Sequence, residues 1–343
     1  MLPILSGILF KADKETLHLS STDLEISIRM NIEVNVAEPG AVVIPARLIA
    51  DILNNLEADE VNMKLLKEKS QLEVTAGDSR FAVSVYFEED FPKIPEAAEM
   101  PACELSVSEF LGASKEVVRA SSKDESKPVL TGVLVEMEEK MIRMVATDSY
   151  RLAVYENTIE AGPKSNIKII VPARSLRELA RISSNREGSK LAISLTENQA
   201  VFRIDGIDVI SRLIDGEFPN YKQIIPETHE KTITVNAAAM VATIKRAAIM
   251  AQNNSPIRLS VTKNQIVVSA VTQDIGEATE KIEAEYAGDE LRLAFNPEYL
   301  IDGITSVEGD KAVLEVTDPL KPVMIKPVSG EAFQYLIMPV RLT

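Results

Sequence analysis

The sequence predicts an α+β chain built from three copies of one unit. Three observations carry that prediction: a repeat at fixed spacing, a strand-to-helix junction that recurs with it, and alternating strands that close the copies. The repeat is plainest where LPILSGILFKADKETLHLSSTDLEISIRM, residues 2–30, is set beside KPVLTGVLVEMEEKMIRMVATDSYRLAVYE, residues 127–156. Pro3 matches Pro128, Leu5 matches Leu130, Gly7 matches Gly132 and Thr22-Asp23 matches Thr147-Asp148, each pair 125 residues apart. A weaker copy over residues 255–283 keeps the register, with Thr272 a further 125 beyond Thr147.

The junction reads VIPARLIADIL (43–53), VPARSLRELARI (171–182) and FNPEYLIDGI (295–304). Each is a strand running into a helix with proline near its first turn, where a missing N–H costs nothing. Leu48, Ile49, Ile52, Leu53 and Leu56 form an apolar stripe at helical spacing, which assigns that face to the core. Alternating strands follow in QLEVTAGDSRFAVSVYF (71–87) and AVFRIDGIDVISRLID (200–215), with glycine at the turns. DFPKIP (90–95) and EFPNYKQIIP (217–226) close two units, so the expected divisions are 1–100, 101–226 and 227–343.

The second and third units open with a short strand, an N-cap at Ser108 or Asn236, and an amphipathic helix. The first unit has no counterpart, and by repeat arithmetic it begins about 25 residues late. Units repeated head to tail with a fixed rotation can close into a ring.

The 343 residues suit two or three folded domains, and 45% hydrophobic with 26% charged residues is ordinary globular composition. Cys103 is the single cysteine and there are two histidines, which excludes an internal disulfide and a structural zinc site. A reducing cytoplasm is the expected setting. No apolar run approaches the roughly 18 residues of a membrane span, and MLPILSGILF lacks a basic leader with a cleavage site.

No catalytic constellation stands out. His18 and His229 lie outside the repeated motifs, and the glycine-rich phosphate loops and the H-E-x-x-H pattern are absent. Glu88-Glu89-Asp90 and Glu138-Glu139 read as solvated charge beside turns. The polar group at 147–151 repeats in part at 22–23, which points to a turn capped by side-chain-to-backbone hydrogen bonds.

A net charge of −15 argues against nucleic acid if the charge is evenly spread. It is not. Arg174, Arg177 and Arg181 share one predicted helix face, as do Lys115, Arg119 and Lys123, while Arg47 begins the equivalent helix of the first unit and Lys245-Arg246 lie in a helix of the third. Helices turned inward in a ring would line its hole with cations, able to hold a duplex backbone without reading bases.

Together KPVLTGVLVE, VATDSYRLAVYE, IIVPARSL, SRLIDGEFPNYKQIIP and the tail YLIMPVRL resemble the bacterial sliding clamp family, the β subunits of DNA polymerase III, over essentially the whole chain. The resemblance implies a head-to-tail homodimeric ring of six similar DNA-clamp subdomains, three per chain, with helices inside and antiparallel sheets outside. It implies a non-catalytic, cofactor-free processivity protein that encircles duplex DNA and tethers the replicative polymerase α subunit. The clamp loader, which opens the ring with ATP, and other proteins bearing the clamp-binding motif are the further partners implied.

In the family a short peptide resembling Gln-Leu-x-Leu-Phe enters a hydrophobic cleft between the second and third subdomains. The positions that match it here are Leu130, Thr147, Ser149, Tyr150, Arg151, Leu152, Pro219, Ile224, Leu320, Pro322, Leu336, Met338 and Pro339. Ser149 and Tyr150 fall where many relatives have glycine and histidine. The implied dimer interface sets Ile52, Phe81 and Val83 of one protomer against Ile249 and Met250 of its partner. The N-terminal strand and helix of the family have no match here, which implies exposed core surface in the first unit. Two other readings stay open at this point: an enzyme using the 147–151 group on a phosphorylated or sugar substrate, and a truncated clamp-like form that binds partner peptides without closing on DNA.

Overall fold

The computed structural model describes residues 3–94, 100–186, 188–251, 255–272, 275–330 and 332–341. The predicted division near residue 100 abuts residues 95–99, which lie outside the described set together with Pro95 of the DFPKIP motif. The chain forms two compact units, residues 1–102 with 189–212, and residues 103–188 with 213–343.

In the first unit seven strands run in the spatial order Gly40–Pro45, Gly7–Asp13, Thr16–Thr22, Ile26–Glu33, Ile207–Arg212, Gln199–Ile204 and Lys190–Leu195, each antiparallel to its neighbour. A second sheet joins Asn62–Leu66, Gln71–Ala76 and Ser79–Ser84. Helix α1 (Ala46–Asn54) contributes Ile49 and Ile52 to one core with Phe10, Val42 and Ile44 from the larger sheet and Leu72, Val74 and Val83 from the smaller. Strand alternation sets the opposite face: Val43, between Val42 and Ile44, packs instead with Ile4 and Phe91.

The second unit holds an eight-stranded antiparallel sheet, ordered Ile167–Pro172, Gly132–Glu138, Met141–Thr147, Arg151–Thr158, Phe333–Ile337, Val323–Pro327, Lys311–Val316 and Lys231–Asn236. A four-stranded sheet orders Gly276–Glu283, Gln265–Thr272, Ile257–Thr262 and Leu291–Phe295. Helices α2 (Val107–Val117) and α3 (Ala173–Ile182) pack together, as do α4 (Ala237–Ala248) and α5 (Pro297–Thr305). Both large sheets combine strands of consecutive sequence repeats: Ile26–Glu33 pairs with Ile207–Arg212, and Arg151–Thr158 with Phe333–Ile337.

Three local expectations change. The N-cap of α2 is Ser106, not Ser108: its Oγ accepts from the Glu109 N–H at 3.0 Å while Glu109 accepts from the Ser106 N–H at 3.0 Å, a reciprocal capping box. Asn236 does cap α4, accepting from the Ala239 N–H at 2.8 Å. Leu48 and Leu53 are exposed, so only Ile49, Ile52 and the partly buried Leu56 of the apolar stripe reach the core. Lys123 lies beyond α2, which gives way after Val117 to a 3-10 turn over Val118–Ala120, so the three cations do not share one helix face.

The repeated glycines Gly7 and Gly132 have one physical cause. Each sits opposite the proline that precedes a helix, in the pairs Gly7↔Pro45 and Gly132↔Pro172. A Cβ at Gly132 would stand 2.5 Å from Ile170 Cγ2 and 2.8 Å from Ile214 Cδ1, and one at Gly7 2.6 Å from Val43 Cγ1. Gly132→Ala is therefore expected to destabilise the fold by about 1–3 kcal/mol, the usual cost of overpacking. Gly40→Ala, with nothing within 4 Å of the added carbon, should leave the thermal midpoint near that of the parent. Equal midpoints for both variants would contradict the packing account.

Candidate functional site

Residues 147–151 form a turn closed by its own side chains. The Asp148 N–H donates to the Arg151 carbonyl at 3.3 Å, and Thr147 Oγ1 donates to the same oxygen at 2.6 Å while accepting from the Ser149 N–H at 3.3 Å. Asp148 Oδ1 accepts from the N–H groups of Tyr150 at 3.0 Å and Arg151 at 3.1 Å. The first repeat builds the same turn: Thr22 Oγ1 accepts from the Leu24 N–H at 3.0 Å, and Asp23 Oδ1 from Glu25 at 3.0 Å and Ile26 at 2.8 Å. Ser149 and Leu24 both adopt left-handed backbone, with φ of 79° and 78°. Glycine takes that conformation without steric cost.

The copies share the Thr-Asp pair and diverge after it, most in chemistry at the last position. Ile26 of the first turn is replaced by Arg151, whose side chain is only 5% exposed. Its Nε donates to Asp148 Oδ2 at 2.9 Å, its Nη1 to Asp302 Oδ2 at 2.5 Å and to the Tyr335 hydroxyl at 3.4 Å, and its guanidinium lies 4.2 Å from the Tyr299 ring centre. The Tyr335 hydroxyl in turn donates to the Tyr299 carbonyl at 2.8 Å, and the Tyr150 ring stacks on Tyr299. Burial opposes the guanidinium charge, yet Tyr335, Asp302 and Asp148 outweigh it and raise the pKa. The Tyr335 phenol is raised chiefly by burial, with Arg151 opposing. Breaking such a buried pair on one side typically costs about 3–5 kcal/mol.

This network fixes an apolar surface. Leu152 faces Leu336 across the sheet, and the Met338 N–H donates to the Tyr150 carbonyl at 2.9 Å. Leu152 and Leu336 are buried in a cluster with Phe218, Tyr221 and Met324, and Leu130 is buried nearby in sequence to the clustered Val129. Tyr150, Ile224, Leu320 and Met338 are exposed large side chains, while Ser149 and Pro219 are exposed and Pro322 and Pro339 half-buried. Asp302, Tyr299 and Tyr335 hold the site and were not among the expected residues. Their only sequence signal is indirect, since an arginine destined for burial requires a carboxylate partner.

The cations divide. Arg47, Lys115, Arg174, Arg177 and Lys245 are exposed on their helices, and Lys123 is exposed in the segment after the 3-10 turn. Arg181 pairs with Glu178 at 2.9 Å, Arg246 with Glu280 at 2.8 Å and Arg119 with Asp302 at 3.7 Å. Of the expected interface residues, Phe81 and Ile249 are exposed and Met250 is half-buried. Ile52 and Val83 are instead core residues, because helix α1 and strand Ser79–Ser84 turn them toward Leu72 and Val74.

The descriptions "DNA polymerase III beta subunit, N-terminal domain", "central domain" and "C-terminal domain" match residues 1–95, 104–220 and 222–341 in turn. The chain belongs to the DNA polymerase III beta subunit family. The beta sliding clamp of Streptomyces coelicolor is 32% identical over 351 aligned positions, covering 99% of this chain and 93% of that protein. The sliding clamp of Bacillus subtilis superposes with a TM-score of 0.92 at 27% identity, covering 100% of this chain and 93% of the other. A sliding clamp from Bartonella birtlesii, solved bound to griselimycin, gives 0.92 at 26% identity, covering 100% and 93%. Like its relatives the chain is a sliding clamp of DNA replication, a processivity factor and not an enzyme. The 147–151 turn accords with that, since both Asp148 oxygens are committed to hydrogen bonds within the turn.

One acid of this clamp carries a buried cost. Glu116 in α2 has a carboxylate oxygen with no hydrogen-bond partner among the described residues. Burial and the neighbouring Glu308 push its pKa from 4.5 up to about 7, against the pull of Lys115 and Arg119. Because the folded pKa is raised, this group's contribution is complete below 4.5 and is lost as pH rises through 7. Glu116→Gln should therefore melt above the parent at pH 8, with the gain shrinking toward pH 6 and gone near 4.5. A gain of the same size at pH 5 and pH 8, read by thermal denaturation, would refute the assignment.

Proposed function

We propose that the surface formed by Tyr150, Leu152, Ile224, Leu320, Leu336 and Met338 is the cleft through which this clamp tethers partner proteins, the polymerase α subunit and clamp loader among them. The observation that carries this reading is the pairing of the buried Leu152 and Leu336 next to the exposed, hydrogen-bonded Tyr150 and Met338, with the Arg151 network at their edge. Apolar side chains beside a few fixed polar groups suit a short extended peptide. Ser149 and Tyr150, where relatives carry glycine and histidine, leave the turn intact and place a second aromatic ring beside Tyr299. That retunes peptide preference without removing the site.

The proposal extends to the whole assembly: subdomains 1–100, 101–226 and 227–343, two chains closing head to tail around duplex DNA in the cytoplasm. The exposed Phe81 and Ile249 are assigned to the dimer interface. Arg47, Lys115, Arg119, Lys123, Arg174, Arg177, Arg181, Lys245 and Arg246 are assigned to the DNA-facing side, in contacts to phosphate that carry no sequence preference. Among the described residues no helix is long and apolar enough to cross a membrane.

A fluorescent Gln-Leu-Ser-Leu-Phe peptide should bind with micromolar affinity, about −8 kcal/mol. Met338→Ala and Leu320→Ala, both at exposed positions, should each weaken binding without lowering the thermal midpoint. Non-saturable binding, or indifference to both substitutions, would overturn the cleft. For the ring, protein loaded on closed circular DNA should be retained and should escape once that DNA is linearised. Equal retention on both forms would indicate simple adhesion.

A further inference from the structure

The first unit contains a cavity of about 330 Å³ whose walls include Leu24, Glu25, Pro92, Lys93, Ile210 and Arg212. It is the repeat image of the cleft just described. Ser27 pairs with Ile210 as Leu152 pairs with Leu336. The Arg212 N–H donates to the Glu25 carbonyl at 3.0 Å, as that of Met338 does to Tyr150 at 2.9 Å. Pro92 follows the buried Phe91 as Pro219 follows the buried Phe218. Asn198 leads into the strand beside Ile207–Arg212, in the place Pro322 holds beside Phe333–Ile337.

The chemistry of the copy differs from its geometry. Arg212 stands at the position of Met338, Glu25 at that of Tyr150, and Ser27 at that of Leu152. Ile26 replaces the buried Arg151, so an apolar side chain stands where the second repeat has its ion network. Among the described residues that line it, Lys93 and Arg212 face one carboxylate, Glu25. Arg212 Nη1 lies 4.0 Å from Glu25 Oε1 with both side chains more than half exposed, a loose pair that a ligand carboxylate can replace. In a chain of net charge −15 the described lining of this groove carries two cations and one carboxylate beside an aliphatic wall from Leu24, Pro92, Ile94 and Ile210. Its size lies at the small end of ligand sites.

We propose that this cavity is a second docking site on each clamp protomer, receiving a short extended peptide of a partner protein in which a carboxylate neighbours an aliphatic side chain. The carboxylate meets Arg212 and Lys93, and the aliphatic group packs on Leu24 and Pro92. The proposal rests on the 147–152 surface being a peptide cleft, because it borrows that geometry. Partners could then occupy two separate sites of one chain at once.

The test uses a fluorescent Asp-Leu-Asp-Leu-Phe peptide and the full-length protein carrying Met338→Lys and Leu320→Lys, which close the first cleft. Saturable binding on the order of 100 µM is expected. Arg212→Glu should weaken it roughly three- to tenfold, Arg212→Lys should retain it, and added salt should weaken it. Thermal midpoints check that the exposed substitutions leave the fold intact. Absence of saturation at about 1 mM, or affinity unchanged by Arg212→Glu, overturns the proposal. Failure of Gln-Leu-Ser-Leu-Phe to bind the parent protein would instead strike the first cleft, so the two failures are distinguishable.

Discussion

The buried guanidinium of Arg151 is the constraint on which the candidate cleft depends. An arginine removed from water is tolerated only when its charge is met, and here Asp148 meets it from the same turn while Asp302 meets it from helix α5. The two carboxylates lie on opposite sides of a long stretch of chain. Satisfying the charge therefore fixes the turn, the strand Phe333–Ile337 and the helix in one arrangement, and Tyr335 completes the joint by bonding to both Arg151 and the Tyr299 carbonyl. The Met338 N–H bond to the Tyr150 carbonyl ties the apolar residues beside this joint to the same turn.

Repetition explains why such a joint could arise in only one copy. The turn itself needs a threonine and an aspartate to bind backbone N–H groups, with one residue in left-handed conformation, and both Thr22-Asp23 and Thr147-Asp148 meet that need. The side chains that follow are free to diverge. Ile26 leaves the first turn plain, Arg151 turns the second into an electrostatic anchor, and Glu25 and Arg212 give the first groove a polar wall. The same backbone thus carries two surfaces of different chemistry.

Charge is segregated less completely than the residue pattern suggests. Arg181, Arg246 and Arg119 each have an acidic partner, so part of the positive charge on the helices is spent within the protein. Exposed pairs of this kind are weak and screened by salt, and they can exchange a carboxylate for a phosphate. Arg119 differs, because its partner Asp302 also serves the buried Arg151 and is held in place by it.

The sequence alone carries the repeat, the junction prolines, the cap at Asn236 and the turn at 147–148, because these depend on interactions a few residues apart that leave fixed spacings. It also marked Leu152, Leu336 and Met338 as one site through family resemblance. Only the tertiary structure decided which face of each element is buried. It turned Ile52 and Val83 inward, left Leu48 and Leu53 exposed, ended α2 before Lys123 and moved its cap to Ser106. It alone joined Arg151 to Asp302 and Tyr335, and Ser27 to Ile210. The physical reason is common to these cases: long-range pairing arises from packing between elements far apart in the chain, and local spacing narrows the buried face of an element without fixing its edges, as Ile49 and Ile52 buried beside the exposed Leu48 and Leu53 show.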